Sequence, residues 1–215
     1  MSLKDTMDGI YREWELDAIP WNTETPPAVL VELVESGWVQ PCAAVDLGCG
    51  AGNYAVWLAG RGFAVTGLDL SPAAVELARR LAERKGAACR FEARDLIADV
   101  EGLEGLEGSF DLAYDWEVLH HVFPEDRDVY MSNVHRLLRA GAKYLSVCFS
   151  EQDSFAGTGK FRQTPLGTTL YFSSEAELTA LFEQWFTVEE LCTIEVPGTV
   201  GPHKAVKALL SKRGF

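Results

Sequence analysis

Short apolar runs alternate along most of this chain with stretches whose apolar residues recur every three or four positions. The runs at 43–47, 64–68, 88–91, 110–114, 143–148, 187–196 and 205–210 read as strands. Helices are expected between them, at 53–60, 72–85, 124–138 and 174–182. The clearest is 72–85, where Ser71 is an N-cap, Pro72 takes the first helical position and Gly86 ends the run. Ala74, Leu77, Ala78, Leu81 and Ala82 give that helix one apolar face. Strand and helix in alternation build βαβ units, so the expected architecture is a doubly wound α/β sheet with helices on both faces.

Two stretches fall outside the alternation. Residues 1–41 hold Tyr11, Trp14 and Trp21 ahead of a short amphipathic run at 28–34, and are expected to form an N-terminal cap. Residues 150–171, rich in Gly, Thr and Ser, follow the fifth strand and therefore emerge at the carboxyl edge of the sheet, where open α/β sheets bind ligands. The Glu-Gly-Leu repeat at 101–108 reads as a polar surface loop. No linker divides the chain, so 1–215 is expected to be one domain: cap 1–41, core 42–150, substrate-side loop 150–171, and a C-terminal helix and strand pair over 172–215.

Composition changes this picture only at its margins. An apolar share of 47% in 215 residues supports a sizeable core. A formal charge of −13, with no clustered Lys and Arg, argues against a nucleic-acid partner. No apolar stretch is long enough to span a membrane, and the first residues lack a basic region followed by an apolar run, so neither a span nor a secretory signal is expected. Cys42, Cys49, Cys89, Cys148 and Cys192 are odd in number and without a Cys-x-x-Cys pair, which suits neither a disulfide framework nor a metal site and points to a reducing, cytoplasmic setting.

The chemistry sits at successive strand ends. Val45-Asp46-Leu47-Gly48-Cys49-Gly50-Ala51-Gly52-Asn53 joins the first strand to a helix, and its glycines let the backbone turn sharply against a ligand. Asp69 ends the second strand 21 positions after Gly48, where a carboxylate can accept from both hydroxyls of a ribose. Asp95 follows the third strand and could accept from an adenine amino group. Asp46 would repel a pyrophosphate laid over the turn, but suits a nucleoside cofactor that carries sulfonium and ammonium charge instead.

These blocks resemble the class I S-adenosylmethionine-dependent methyltransferases. The resemblance runs from Cys42 to Ser150 through Asp46-Leu47-Gly48-Cys49-Gly50-Ala51-Gly52, Gly67-Leu68-Asp69-Leu70-Ser71, Arg94-Asp95-Leu96, Leu119-His120-His121-Val122 and Leu137-Leu138-Arg139-Ala140-Gly141. It implies a Rossmann-like, seven-stranded sheet, mostly parallel with an antiparallel last strand. It also implies S-adenosylmethionine as methyl donor, S-adenosylhomocysteine as product, and a small-molecule methyl acceptor. The Gly48–Gly52 backbone, with Asp46, Cys49, Gly50 and Asn53, would lie against the cofactor's amino-acid portion. Asp69 and Leu70 would hold the ribose, and Asp95 with Leu96 the adenine. Ala140-Gly141-Ala142 departs from the family's Pro-Gly-Gly at a turn before the fifth strand. A narrower likeness, to the thiopurine and tellurite methyltransferase-like group, rests on Trp14, Trp21 and Tyr114-Asp115-Trp116; it implies that Tyr11, Trp14, Trp21 and Trp116 complete the cofactor wall. That group often carries Arg where this chain has Trp116.

The acceptor side is less defined. His121 is placed to act as a base, although both His120 and His121 equally fit packing roles. Arg162, Tyr171 and His203 lie on segments at the carboxyl edge and could meet an anionic acceptor. A thiol or other chalcogen nucleophile would need little help from a base, and O- or N-methylation of a small metabolite is the alternative. A Rossmann-type NAD-dependent oxidoreductase is disfavoured by Asp46 and by the lack of a Tyr-x-x-x-Lys pair. A non-catalytic cofactor-binding module would bind the cofactor and yield no product.

Overall fold

The computed structural model describes residues 2–98, 103–199 and 201–214. Seven strands form one sheet in the order β3-β2-β1-β4-β5-β9-β8, with β1 Ala43–Leu47, β2 Ala64–Asp69, β3 Cys89–Ala93, β4 Phe110–Trp116, β5 Leu138–Phe149, β8 Phe186–Val196 and β9 His203–Lys212. β6 Phe161–Gln163 and β7 Thr169–Tyr171 make a separate antiparallel hairpin. The helices are α1 Leu3–Glu13, α2 Ala28–Glu35, α3 Asn53–Ala59, α4 Pro72–Lys85, α5 Arg127–Leu137 and α6 Glu175–Phe182. The chain divides into two compact units, Met1–Asp95 with Phe110–Leu112, and Leu96–Ser109 with Ala113–Phe215.

In the first unit β1 and β2 pair in parallel from Ala43↔Ala64 to Leu47↔Leu68, and β2 pairs with β3 from Val65↔Cys89 to Asp69↔Ala93. Ala44, Val45, Leu47 and Leu68 are fully buried, as parallel strands covered on both faces require. α4 keeps the boundaries expected from sequence: Ser71 Oγ accepts from Ala74 N at 3.1 Å, and Gly86 takes the left-handed conformation at φ 63°. The cap region holds α1 as well as α2. α1 opens with a capping box in which Ser2 and Asp5 satisfy one another's backbone, a signal muted in the sequence because its third position is Asp and not Glu.

In the second unit β9 runs antiparallel to β5, from Lys143↔Ser211 to Phe149↔Ala205, and antiparallel to β8. β9 is therefore the reversed strand expected at the end of the fold. Several features differ from the sequence reading. The helix expected at 124–138 is a 3-10 turn, Pro124–Asp126, followed by α5, and Leu138 already belongs to β5. The substrate-side loop contains the β6–β7 hairpin. The repeat at 101–108 is not simply polar surface: 101 and 102 lie outside the described residues, but Leu103 and Leu106 are buried, which anchors the segment.

Candidate functional site

The first unit gathers most of the residues expected around the cofactor. β1 ends at Leu47, and the chain turns through Gly48, Gly50 and Gly52 at φ 74°, 51° and 83°, values open to glycine at little cost. Two glycines are also required by their neighbours. A Cβ on Gly50 would lie 2.7 Å from Tyr11 Oη, and one on Gly67 would lie 2.6 Å from Phe91 and 2.8 Å from Cys49 Sγ. Asp69 Oδ2 accepts from Gly50 N at 2.8 Å, and Oδ1 from Ser71 N at 2.8 Å. Burial raises the Asp69 carboxyl above the usual range against those two hydrogen bonds, with Asp8 adding repulsion. Asp46 is 3% exposed two positions before the first glycine. Burial, with Asp69 and Asp46 adding to it, pushes the Cys49 thiol well up, so Cys49 is a neutral wall.

The cap closes on this turn from the N-terminal side. Tyr11 is buried, with its phenol pushed up by burial first and by Asp69 second, and its hydroxyl accepts from Trp21 Nε1 at 2.8 Å. Asp8 carries no motif that marks it in the sequence. Its Oδ1 accepts from Ser71 Oγ at 2.8 Å and from Ala73 N at 2.9 Å, docking α1 on the first turn of α4. Asn53 Nδ2 donates to Asn22 Oδ1 at 2.9 Å and ties the cap to α3. Leu70 is half-buried and Asp95 exposed beyond β3. Trp14 is not brought to this cluster: it ends α1 and remains 40% exposed, because the helix turns Tyr11 inward.

The turn discriminates between cofactors. In a pyrophosphate-binding turn the backbone N–H groups point outward at the phosphates. Here Gly48 N and Cys49 N donate to Leu68 O, Gly50 N donates to Asp69, and Gly52 N donates to Cys49 O. With these donors engaged internally and Asp46 and Asp69 beside them, the residues fit a nucleoside whose remaining charge is positive. The cavity of about 440 Å³ lined by Ala43, Val65, Cys89 and Phe110 lies at the amino ends of the strands, away from these groups.

The second unit holds the acceptor-side candidates. Leu96 is buried, and its carbonyl accepts from Asn133 Nδ2 at 3.0 Å. Trp116, half-buried, ends β4. The His120 ring stacks on Phe149 at 4.5 Å and 16°, Phe149 stacks on Phe172 at 5.6 Å, and His203 lies 5.0 Å from both Phe149 and Phe155. Burial drives His120 far below its ordinary value and His121 down to about 4, so both imidazoles are neutral near pH 7. His203 Nδ1 sits 3.4 Å from Asp153 Oδ1.

Arg162 and Tyr171 are committed inward. The Arg162 guanidinium donates to the carbonyls of Gly159, Asp153, Phe155 and Glu151 and stacks 3.8 Å from the Phe172 ring. Tyr171 Oη donates to Glu177 at 2.7 Å, and Arg127 lies 4.7 Å over its ring. Both therefore organise the hairpin. Arg127, buried, also donates to Val122 O and Ser173 Oγ and thereby ties the His120–His121 turn to the hairpin. Beneath that turn Asp115 accepts from Tyr144 Oη and, at 3.2 Å, from Ser146 Oγ.

Strand order, reversed penultimate strand and a nucleoside turn without a phosphate cradle define a Rossmann-like protein with the class I methyltransferase topology. Comparison with known proteins makes the assignment specific. Residues 44–141 match the family model described as a methyltransferase domain. The chain is 27% identical to a 2-heptyl-1-hydroxyquinolin-4(1H)-one methyltransferase of Mycobacteroides abscessus, over 88% of this chain and 80% of that one. It is 29% identical to a probable thiol methyltransferase 2 of Arabidopsis thaliana, over 72% and 67%. A solved structure from work on the conversion of a disulfide bond into a thioacetal group during echinomycin biosynthesis superposes with TM-score 0.82 and 28% identity, covering 99% of this chain and 93% of that one. Residues 44–141 therefore form a methyltransferase domain, and the chain as a whole is similar to S-adenosylmethionine-dependent methyltransferases. Among the described residues no helix is long and apolar enough to cross a membrane.

Proposed function

We propose that this methyltransferase acts on a small molecule through a sulfur atom, a thiol or thiolate being the acceptor. The observation that supports this reading most is the wall of stacked rings, His120, Phe149 and Phe172, at the carboxyl end of β5, where burial keeps the His120 imidazole neutral. An uncharged, polarisable wall favours a soft nucleophile over a phosphate or a polyanion. Similarity to a probable thiol methyltransferase, and to a structure from work on the conversion of a disulfide bond into a thioacetal group, supports sulfur chemistry. A second reading, methylation of a hydroxyl on a flat heteroaromatic ring, is favoured by the likeness to the hydroxyquinolone methyltransferase.

S-adenosylmethionine brings an electrophilic methyl on a sulfonium leaving group, so the chain's own task is mainly alignment and exclusion of water. In this reading Asp69 and Leu70 hold the ribose and Asp95 with Leu96 the adenine. The Gly48–Gly52 turn, Asp46 and Asn53 take the amino-acid portion, and Tyr11, Trp21 and Trp116 close the wall. The whole of 1–215 acts as one methyltransferase domain, with 1–41 as its cap, in a cytoplasmic setting. The test is mass-spectrometric detection of methylated product and S-adenosylhomocysteine with 2-phenylethanethiol, hydrosulfide and 2-heptyl-1-hydroxyquinolin-4(1H)-one. Turnover of either sulfur compound supports the sulfur reading; turnover of the quinolone alone replaces it with the hydroxyl reading.

A further inference from the structure

Glu117 is the residue immediately after β4, between the half-buried Trp116 and the Leu119–His121 turn. Its backbone has φ 62°, and among the described residues only Ala156 shares a positive φ without being glycine. A side chain of this size avoids that region unless the surrounding structure imposes it. The imposition is visible: Glu117 N donates to Val147 O on β5 at 2.7 Å. Among the described residues no cation and no hydrogen-bond donor reaches its carboxylate. Burial alone pushes that carboxyl up to about 7. Asp115, His120, His121, Asp153 and His203 occupy the neighbouring turn and strand ends, and none of them perturbs it. Strain held by a neighbouring strand, at a half-buried acid that makes no ion pair or side-chain hydrogen bond among the described residues, has no structural return within the fold; such strain collects at functional sites.

We propose that Glu117 is a catalytic residue that takes the proton of the methyl acceptor. The inference rests on the sulfur-acceptor reading above. As the acceptor sulfur bonds to the methyl carbon, the carbon–sulfonium bond breaks, its electron pair stays on the leaving sulfur, and the acceptor proton passes to a Glu117 carboxylate oxygen. Water then receives that proton. The role falls to Glu117 and not to His121, whose imidazole burial holds as a weak base. Ordinary thiols are mostly protonated near pH 7, so a base placed at this edge increases the reactive fraction.

The test uses two acceptors and two variants of the full chain. 2-Phenylethanethiol is protonated at pH 7, whereas 4-nitrobenzenethiol is already a thiolate. Glu117→Gln should lose at least tenfold in kcat/KM with the first, recover it as pH is raised until that thiol ionises, and remain close to wild type with the second. Its affinity for S-adenosylhomocysteine should be unchanged. Glu117→Gly, which relieves the backbone, should raise the melting temperature while showing the same acceptor-dependent loss. Equal loss on both thiols, no loss on either, or a lower melting temperature for Glu117→Gly would overturn the proposal. If wild type methylates neither thiol, the sulfur reading falls by itself. The carboxyl band missing from Glu117→Gln in infrared difference spectra then decides: titration near neutrality keeps Glu117 as the base, and titration near pH 4.5 removes it.

Discussion

The Asp69 carboxylate accepts the Gly50 N–H at 2.8 Å, so the acid at the end of β2 and the glycine turn after β1 are fixed to one another by a charge-assisted bond. The same carboxylate holds Ser71 N, which starts α4. Removing it should disturb the turn and the ribose contact together. Hydrogen bonds to a charged group contribute about 1.5–3 kcal/mol each, and about 1.4 kcal/mol is a tenfold change in affinity. Asp69→Ala should therefore bind S-adenosylhomocysteine at least tenfold more weakly while keeping its far-ultraviolet circular dichroism. Calorimetric titration and a dichroism spectrum check the two halves.

Tyr11 links the cap to that turn. Its hydroxyl stands 2.7 Å from where a Gly50 Cβ would be and receives the Trp21 indole N–H. Gly50→Ala adds both that clash and a strained backbone at φ 51°. It should displace α1, expose the cap to trypsin at Arg12 and weaken cofactor binding. In the wild type S-adenosylhomocysteine should slow the same cleavage. Limited proteolysis with and without ligand reads both effects, and equal cleavage in all four samples would contradict them.

The hairpin depends on one cation. Arg162 is 4% exposed and serves four backbone carbonyls, a fork that a lysine cannot reproduce. Arg162→Met leaves those carbonyls without donors and should cost at least about 1–3 kcal/mol in urea unfolding, the penalty of a buried polar group left unsatisfied. Arg162→Lys should recover less than half of it.

Asp115 supplies a pH signature. Burial, against hydrogen bonds from Tyr144 and Ser146, lifts its carboxyl from 3.8 to about 7. A folded value above the unfolded one means that the folded chain holds the proton more tightly. The associated stability is full below about pH 4 and is lost as pH rises through 7. Wild type should thus lose stability relative to Asp115→Asn between those limits, by a few kcal/mol, since each tenfold difference in proton affinity is worth about 1.4 kcal/mol. Melting temperatures of the two proteins across pH 4–8 test the sign; a gap that does not change with pH would refute it.

What is legible in the sequence follows from which forces act locally. α4 can be read end to end because Ser71, Pro72 and Gly86 are local stop and start signals. Buried parallel strands are legible because their apolar runs are continuous. α1 is not: its apolar residues are few, and its docking depends on Asp8 meeting Ser71, 63 positions away. The β6–β7 hairpin escapes a sequence reading because three-residue strands leave no alternation to follow, and Arg162, expected at the acceptor, is what holds them. The glycine turn and Asp69 can be placed from spacing. Glu117 cannot, since its signal is a backbone angle set by Val147 on another strand.

The most direct test of the central claim is parallel calorimetric titration of the wild-type chain with S-adenosylmethionine, S-adenosylhomocysteine and NAD. The engaged amides of Gly48, Cys49 and Gly50 and the adjacent acids lead to one expected result: saturable one-to-one binding of the first two and no heat with NAD. Binding of NAD in preference to both sulfur nucleosides would contradict it.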